Sequence, residues 1–189
     1  MEMNVFKEMA KCGYVLVPVM ADRIRPPCIT GWHESKPSDI EEVKRWLKIY
    51  KGCNIGIVNY GLLVMDIHDS SCQWWHDVRK RIVNLKPMMI KAGRGGHVYF
   101  KCEERLAYRI NKDILVQANT NEYTLAPGSS VGDVKYESWS VKARSSLPEA
   151  PGWLIELCSQ EMAFDGRITK VEGDPEVANA VARNLGLVT

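Results

Sequence analysis

The stretch Met88-Met-Ile-Lys-Ala-Gly-Arg-Gly-Gly-His-Val-Tyr-Phe-Lys101 reads as two β-strands folded on a glycine turn. Strand-forming residues flank Gly93-Arg-Gly-Gly on both sides, the pattern of a hairpin. Without a Cβ, glycine lets backbone N–H groups approach an anion, and Lys91, Arg94 and His97 place positive or proton-donating groups around the turn. The stretch is not a Walker loop, because no Gly-Lys-Ser/Thr opens a helix, and it is not a dinucleotide fingerprint. A plain hairpin with incidental charges accounts for the same residues equally well.

Upstream, Asn54-Ile-Gly-Ile-Val58 and Leu62-Leu-Val-Met-Asp-Ile67 flank the turn Asn59-Tyr-Gly and read as a hairpin or adjacent strands that deliver Asp66 at a strand end. On an extended strand Asp66 and His68 share a face, so both can converge on one divalent ion, with Asp69 just beyond. The alternative is that Asp66 or Asp69 caps the following helix, expected over 70–84 with Trp74, Val78 and Ile82 on one stripe. His68, Cys72 and His76 are each four apart. On one continuous helix they would share a face and hold zinc with a fourth ligand; otherwise Cys72 points into the core.

Further out, the pattern predicts a helix over 2–12 stopped by Gly13, a buried strand in Tyr14-Val-Leu-Val-Pro-Val-Met20, and a Pro/Gly-rich loop carrying Arg23 and Arg25. Ser38 and Asp39 precede an acidic first turn at Glu41 and Glu42, marking a second helix that ends at Gly52. Strands follow at Ile114-Leu-Val-Gln-Ala, Glu122-Tyr-Thr-Leu-Ala-Pro and Val134-Lys-Tyr-Glu-Ser-Trp, and terminal helices at 151–163 and 174–185 flank a Gly166/Gly173 linker. Strands in the middle and helices at both ends define a mixed α+β, or α/β, chain.

The 189 residues are 25% charged and 46% hydrophobic, with formal charge +2. This excludes a polycation, an acidic tail and a disordered chain, so any role with phosphates depends on where charge is placed. Six scattered cysteines without a CxxC pair read as reduced thiols, and the N-terminus lacks the order of a signal peptide. A soluble, cytoplasmic protein without a membrane span is expected. Trp46, Trp74 and Trp153 fall in apolar helical stripes. The basic segments Arg79-Lys80-Arg81, Arg105 to Lys112 and Lys142 to Arg144 are candidates for a phosphate-tracking surface.

An ordered set of motifs extends these readings: Gly13-Tyr-Val-Leu-Val-Pro18, Arg25-Pro26, Gly31-Trp32, Lys36-Pro-Ser-Asp39, the Trp46 helix, and Asn54-Ile-Gly-Ile57 before Gly61. Val64-Met-Asp-Ile67, Gly93-Arg-Gly-Gly-His-Val-Tyr-Phe100, Tyr123-Thr-Leu-Ala-Pro-Gly-Ser129 and Tyr136 complete it. In this order they resemble the primase-polymerase domain of plasmid and virus replication proteins, a branch of the archaeo-eukaryotic primase superfamily. The resemblance implies a two-lobed fold with a sheet like that of RNA-recognition domains, here over 1–155, with 156–189 as a helical cap or tail.

It also implies a two-metal phosphoryl transfer, in which an Asp-x-Asp/Glu pair and a third carboxylate hold Mg²⁺ or Mn²⁺ and a histidine contacts the nucleotide's phosphates. By position, Asp66 matches the first acid and His97 that histidine, making these two the catalytic candidates. Lys91, Arg94, Gly95, Gly96, His97 and Ser129 form the nucleotide-binding set; Asp66, His68 and Asp69, or alternatively Asp113, form the metal set. The pattern departs at two places: His68 stands where the second acid belongs, and Leu115-Val116 where the third does.

Three functions follow as expectations. The first is a degenerate module of a mobile-element replication protein that binds single-stranded or primer-template DNA, nucleoside triphosphates and other replication proteins, with nucleotidyl transfer weakened or lost. The second is an active primase/polymerase using Asp66 with His68, Asp69 or Asp113. The third is a small zinc-dependent hydrolase at His68, Cys72 and His76.

Overall fold

Helices and strands intermingle in the first half of the chain and strands follow one another in the second, and the computed structural model describes residues 2–21, 29, 36–118, 122–138 and 141–159. The expected loop arginines, Gly31-Trp32 and the 174–185 helix lie outside them. Four helices are described, α1 (Glu2–Lys11), α2 (Ile40–Ile49), α3 (Gln73–Ile82) and α4 (Gly152–Ser159). The strands are β1 (Leu16–Val19), β2 (Asn54–Val58), β3 (Leu62–Ile67), β4 (Met88–Ala92), β5 (Gly95–Lys101), β6 (Leu106–Asn111) and β7 (Ile114–Ala118). Three short ones complete the set: β8 (Tyr123–Leu125), β9 (Ser130–Val131) and β10 (Val134–Glu137).

The strands form two antiparallel sheets, one ordered β1-β2-β8 and the other β6-β7-β3-β5-β4-β10-β9. Within the larger sheet, β7-β3-β5-β4 with α3 between β3 and β4 reproduces the strand order of an RNA-recognition sheet, as expected. The chain is a mixed α/β fold.

The Asn54–Val58 and Leu62–Ile67 strands do not form a hairpin. β3 is paired on both edges, to β5 and β7, while β2 pairs with β1 and β8. Gly61, at φ +62°, carries the chain from one sheet to the other. The reason is burial. Nearly every residue of both strands is buried, and a strand covered on both faces belongs in the middle of a layer rather than at its edge.

Two main cores result. On one face of the large sheet, Leu63, Met65, Ile67, Val98 and Phe100 pack under Trp74, Trp75 and Val78 of α3 and Leu154 and Leu157 of α4. On the other, Leu62, Val64, Met88, Ile90 and Tyr99 meet Phe6 and Met9 of α1, Val43 and Trp46 of α2, and Ile55 and Ile57 of the small sheet. Each such aliphatic or aromatic side chain contributes ~1.5–3 kcal/mol by leaving water. Leu154, Leu157 and Cys158 fix α4 to the sheet by their burial.

Local chemistry sets the helix starts. The Asp39 carboxylate accepts the Glu41 N–H at 2.9 Å and caps α2, while buried Ser38 exchanges hydrogen bonds with the Leu16 backbone. Cys12, Cys53, Cys72, Cys102 and Cys158 are free thiols. Among the described residues, no helix is long and apolar enough to cross a membrane.

Candidate functional site

The ladder register builds a row of side chains across the large sheet. Asp66 lies opposite both Leu115 and His97, Leu115 opposite Arg109, and His97 opposite Ile90. Directly opposed residues in antiparallel strands share a face, so Arg109, Leu115, Asp66, His97 and Ile90 all project toward the side that carries the small sheet. Glycine makes the turn beside this row possible. A Cβ at Gly95 would lie 1.7 Å from the Ile67 carbonyl oxygen, and one at Gly96 2.1 Å from that of Ile90.

Asp66 stands between two imidazoles. Its Oδ2 is 3.4 Å from His68 Nε2, and its Oδ1 is 3.6 Å from His97 Nε2. Behind His97 a buried polar chain continues: Nδ1 lies 3.3 Å from the Tyr99 hydroxyl, which is 2.8 Å from Thr124 Oγ1. Burial drives the Tyr99 pKa far up, so its hydroxyl keeps its proton and can donate to Nδ1. That assignment leaves Nε2–H directed at Asp66. Tyr136 lies beside the imidazole, its ring centroid 5.7 Å away.

Burial also lowers the His97 pKa from the ordinary 6.5; the Asp66 charge opposes this and His68 adds to it. His97 is therefore neutral at pH 7. As pH falls below 6.5, the unfolded chain binds a proton here that the native protein does not. Stability therefore drops by up to about 1.4 kcal/mol per pH unit until the native value is reached. Asp69 and Asp77 have lowered pKa values and act in a separate window below 3.8. Urea unfolding between pH 7 and pH 5 should show this slope, and His97→Gln should flatten it. An identical slope in the variant would rule the assignment out.

Asp69 is engaged elsewhere. Its carboxylate accepts the Ser71 N–H at 2.9 Å and the Ser71 hydroxyl at 2.8 Å, and it lies 3.5 Å from the Arg94 guanidinium. The two bonds from Ser71, with Arg94 adding to them, hold its pKa below the ordinary carboxylate range. The Arg94 carbonyl in turn accepts the Ser70 N–H and hydroxyl, latching this loop to the glycine turn. Asp69 organises the approach to α3 without being its cap, since the cap residue is Cys72, with no side-chain bond. Asp113 touches the site through its carbonyl, which accepts the His68 N–H at 2.7 Å.

The other expected residues separate. His68 follows β3 and precedes the first turn of α3, so His68, Cys72 and His76 share no helix face and the expected zinc arrangement is not formed. Among the described residues no group of three or more His, Cys, Asp or Glu is arranged to hold a metal ion. Lys91 pairs with Gly96, one register step from His97, and therefore projects from the opposite face of the sheet. Ser129 is buried, with its hydroxyl bonded to the backbone of Ile55.

The basic segments are partly engaged as well. Arg81 lies over the Trp153 ring, Arg144 donates to the Tyr60 carbonyl, and Lys142 donates to that of Lys86. Tyr99 and Thr124 join the site although neither belongs to the residue set expected from the sequence. The period-two spacing of Tyr99 from His97 was a usable signal, whereas the approach of Thr124 depends on the packing of one sheet on the other.

A search of curated proteins finds no match to this sequence. The family described as bifunctional DNA primase/polymerase, N-terminal, matches residues 7–153, and with most of its length covered the chain belongs to that family.

Proposed function

We propose that this chain is the nucleic-acid- and nucleotide-binding module of a mobile-element replication protein in which metal-dependent nucleotidyl transfer is weakened or lost. One observation carries the reading: the row Arg109, Leu115, Asp66, His97 contains a single carboxylate. Two-metal transfer relies on several oxygen anions converging on hard cations. The groups nearest Asp66 are nitrogen donors, Leu115 brings no charge, and Arg109 is a cation. This donor set does not fit a pair of Mg²⁺ ions.

What remains suits phosphate binding. Neutral His97 can present Nε2–H to a phosphate oxygen, with its tautomer held by Tyr99 and Thr124. DNA and nucleoside triphosphates are the corresponding partners, with other replication proteins alongside.

The test combines fluorescence anisotropy on single-stranded DNA across salt concentrations with primer extension in Mg²⁺ or Mn²⁺. Binding should weaken linearly on a log–log salt plot, with no extension above a protein-free control. Extension abolished by Asp66→Ala would establish the active reading instead, and absence of binding at low salt would defeat both.

A further inference from the structure

The face of the large sheet turned away from Asp66 and His97 holds a cavity of about 290 Å³ under α3. We infer that it is a binding site for a nucleoside phosphate, separate from the Asp66–His97 row. Ile67, Val98, Trp75 and Met89 supply its apolar part, and Arg79, Lys91 and Arg94 its cations. Ile90 and His97 also border it; since their side chains project from the other face, their main chain is what reaches this side.

Three features select the ligand. Its charge is lopsided, because three cations face Glu137 as the one acid of the lining. Among the described residues Arg79 and Lys91 form no ion pair, although Glu137 lies opposite Lys91 in the β4–β10 ladder, and only Arg94 is shared with an acid, Asp69. Exposed cations without an ion-pair partner among the described residues, beside an apolar hollow, suit an anion that carries an apolar group.

Shape and size narrow this further. A guanidinium plane can bind phosphate through paired N–H groups or stack on a base, and the exposed Met89 side chain, with its polarisable thioether, suits contact with an aromatic ring. The volume is near the lower end of the ~300–1,000 Å³ typical of small-molecule pockets, enough for one nucleotide and too little for a stack of bases. The ligand is therefore either a free nucleotide or a single nucleotide of a strand passing behind the sheet.

The test follows Met89 methyl and Trp75 indole N–H NMR signals, both on this face, while AMP, oligothymidylate or inorganic phosphate is added. Saturable movement with AMP identifies a free nucleotide site; movement with the oligonucleotide and only weakly with AMP identifies a strand contact. In either case Arg79→Gln combined with Lys91→Gln should weaken binding about tenfold or more at nearly unchanged Tm, since both side chains are exposed and the neutral replacements set no like charge opposite Glu137. Three results overturn the inference: no movement with any nucleotide, movement indifferent to the double variant, or the full response from inorganic phosphate, meaning an adventitious ion only. The residues changed lie away from His97, so any of these outcomes leaves the reading of the Asp66 face standing.

Discussion

Replacing His68 with Glu and Leu115 with Asp together is expected to raise Mn²⁺- or Mg²⁺-dependent primer extension about a hundredfold or more above the protein-free background. Leu115 is directly opposite Asp66 in the ladder, and His68 follows on the same face, so the two substitutions place oxygen anions beside Asp66, at the positions that the resemblance to primase-polymerase domains implies for them. His68 is exposed and Leu115 half-buried, which keeps the cost of added charge modest. In the absence of metal the clustered carboxylates repel, raising one another's pKa, and a bound cation reverses that penalty.

Arg109 is the neighbour most able to interfere, because it lies opposite Leu115 and would attract the new acid. Adding Arg109→Gln should therefore increase the gain. Isothermal titration with Mn²⁺ separates the steps. A variant that binds the metal and still transfers nothing would show that missing carboxylates are not what limits this site. Transfer that depends on Asp66 already in the unsubstituted chain would have the same consequence.

The largest effect on stability is expected from Gly95→Ala, a loss on the order of 3–5 kcal/mol. The added methyl would meet the Ile67 carbonyl oxygen at 1.7 Å, with the Ile67 carbon and the His68 carbonyl carbon also within 3 Å. All three are backbone atoms, so no side-chain rotation relieves the contact. The β3–β5 ladder would have to part where it holds Asp66 against His97.

Gly132→Ala supplies the contrast. Nothing lies within 4 Å of a Cβ there, and only the positive φ of 55° opposes the substitution, a cost of about 1 kcal/mol. Urea midpoints for the two variants should differ severalfold in their shifts. Equal shifts would mean that the close backbone approach at Gly95 is relieved in solution. The glycines expected to cradle an anion thus have a prior structural role in letting two main chains meet.

Much of this arrangement was readable from local pattern. The glycine turn between Met88 and Lys101, Asp66 at the end of an apolar strand, the Asp39 cap and the α3 stripe of Trp74, Val78 and Ile82 each depend on residues close in the chain. The absence of acids at positions 68 and 115 was equally visible, since an ordered motif set is a property of the sequence alone. Residue type and spacing thereby determined the fold class and the local elements, and the ordered motifs carried the resemblance to the family that matches residues 7–153.

Tertiary structure decided which of those residues meet. Neighbours in sequence across Asn59-Tyr-Gly went to different sheets, because β3 already had partners on both edges. Asp69 turned to Ser71 and Arg94, and Lys91 parted from His97 by a single register step. Thr124 reached the Tyr99–His97 chain from the other sheet. Asp69 is a loop residue held by its near neighbour Ser71 and by the glycine turn, but the other three share one physical reason: a strand's edges and faces are assigned by pairing and burial over long separations, and a one-residue change of register inverts which side of the sheet a charge serves.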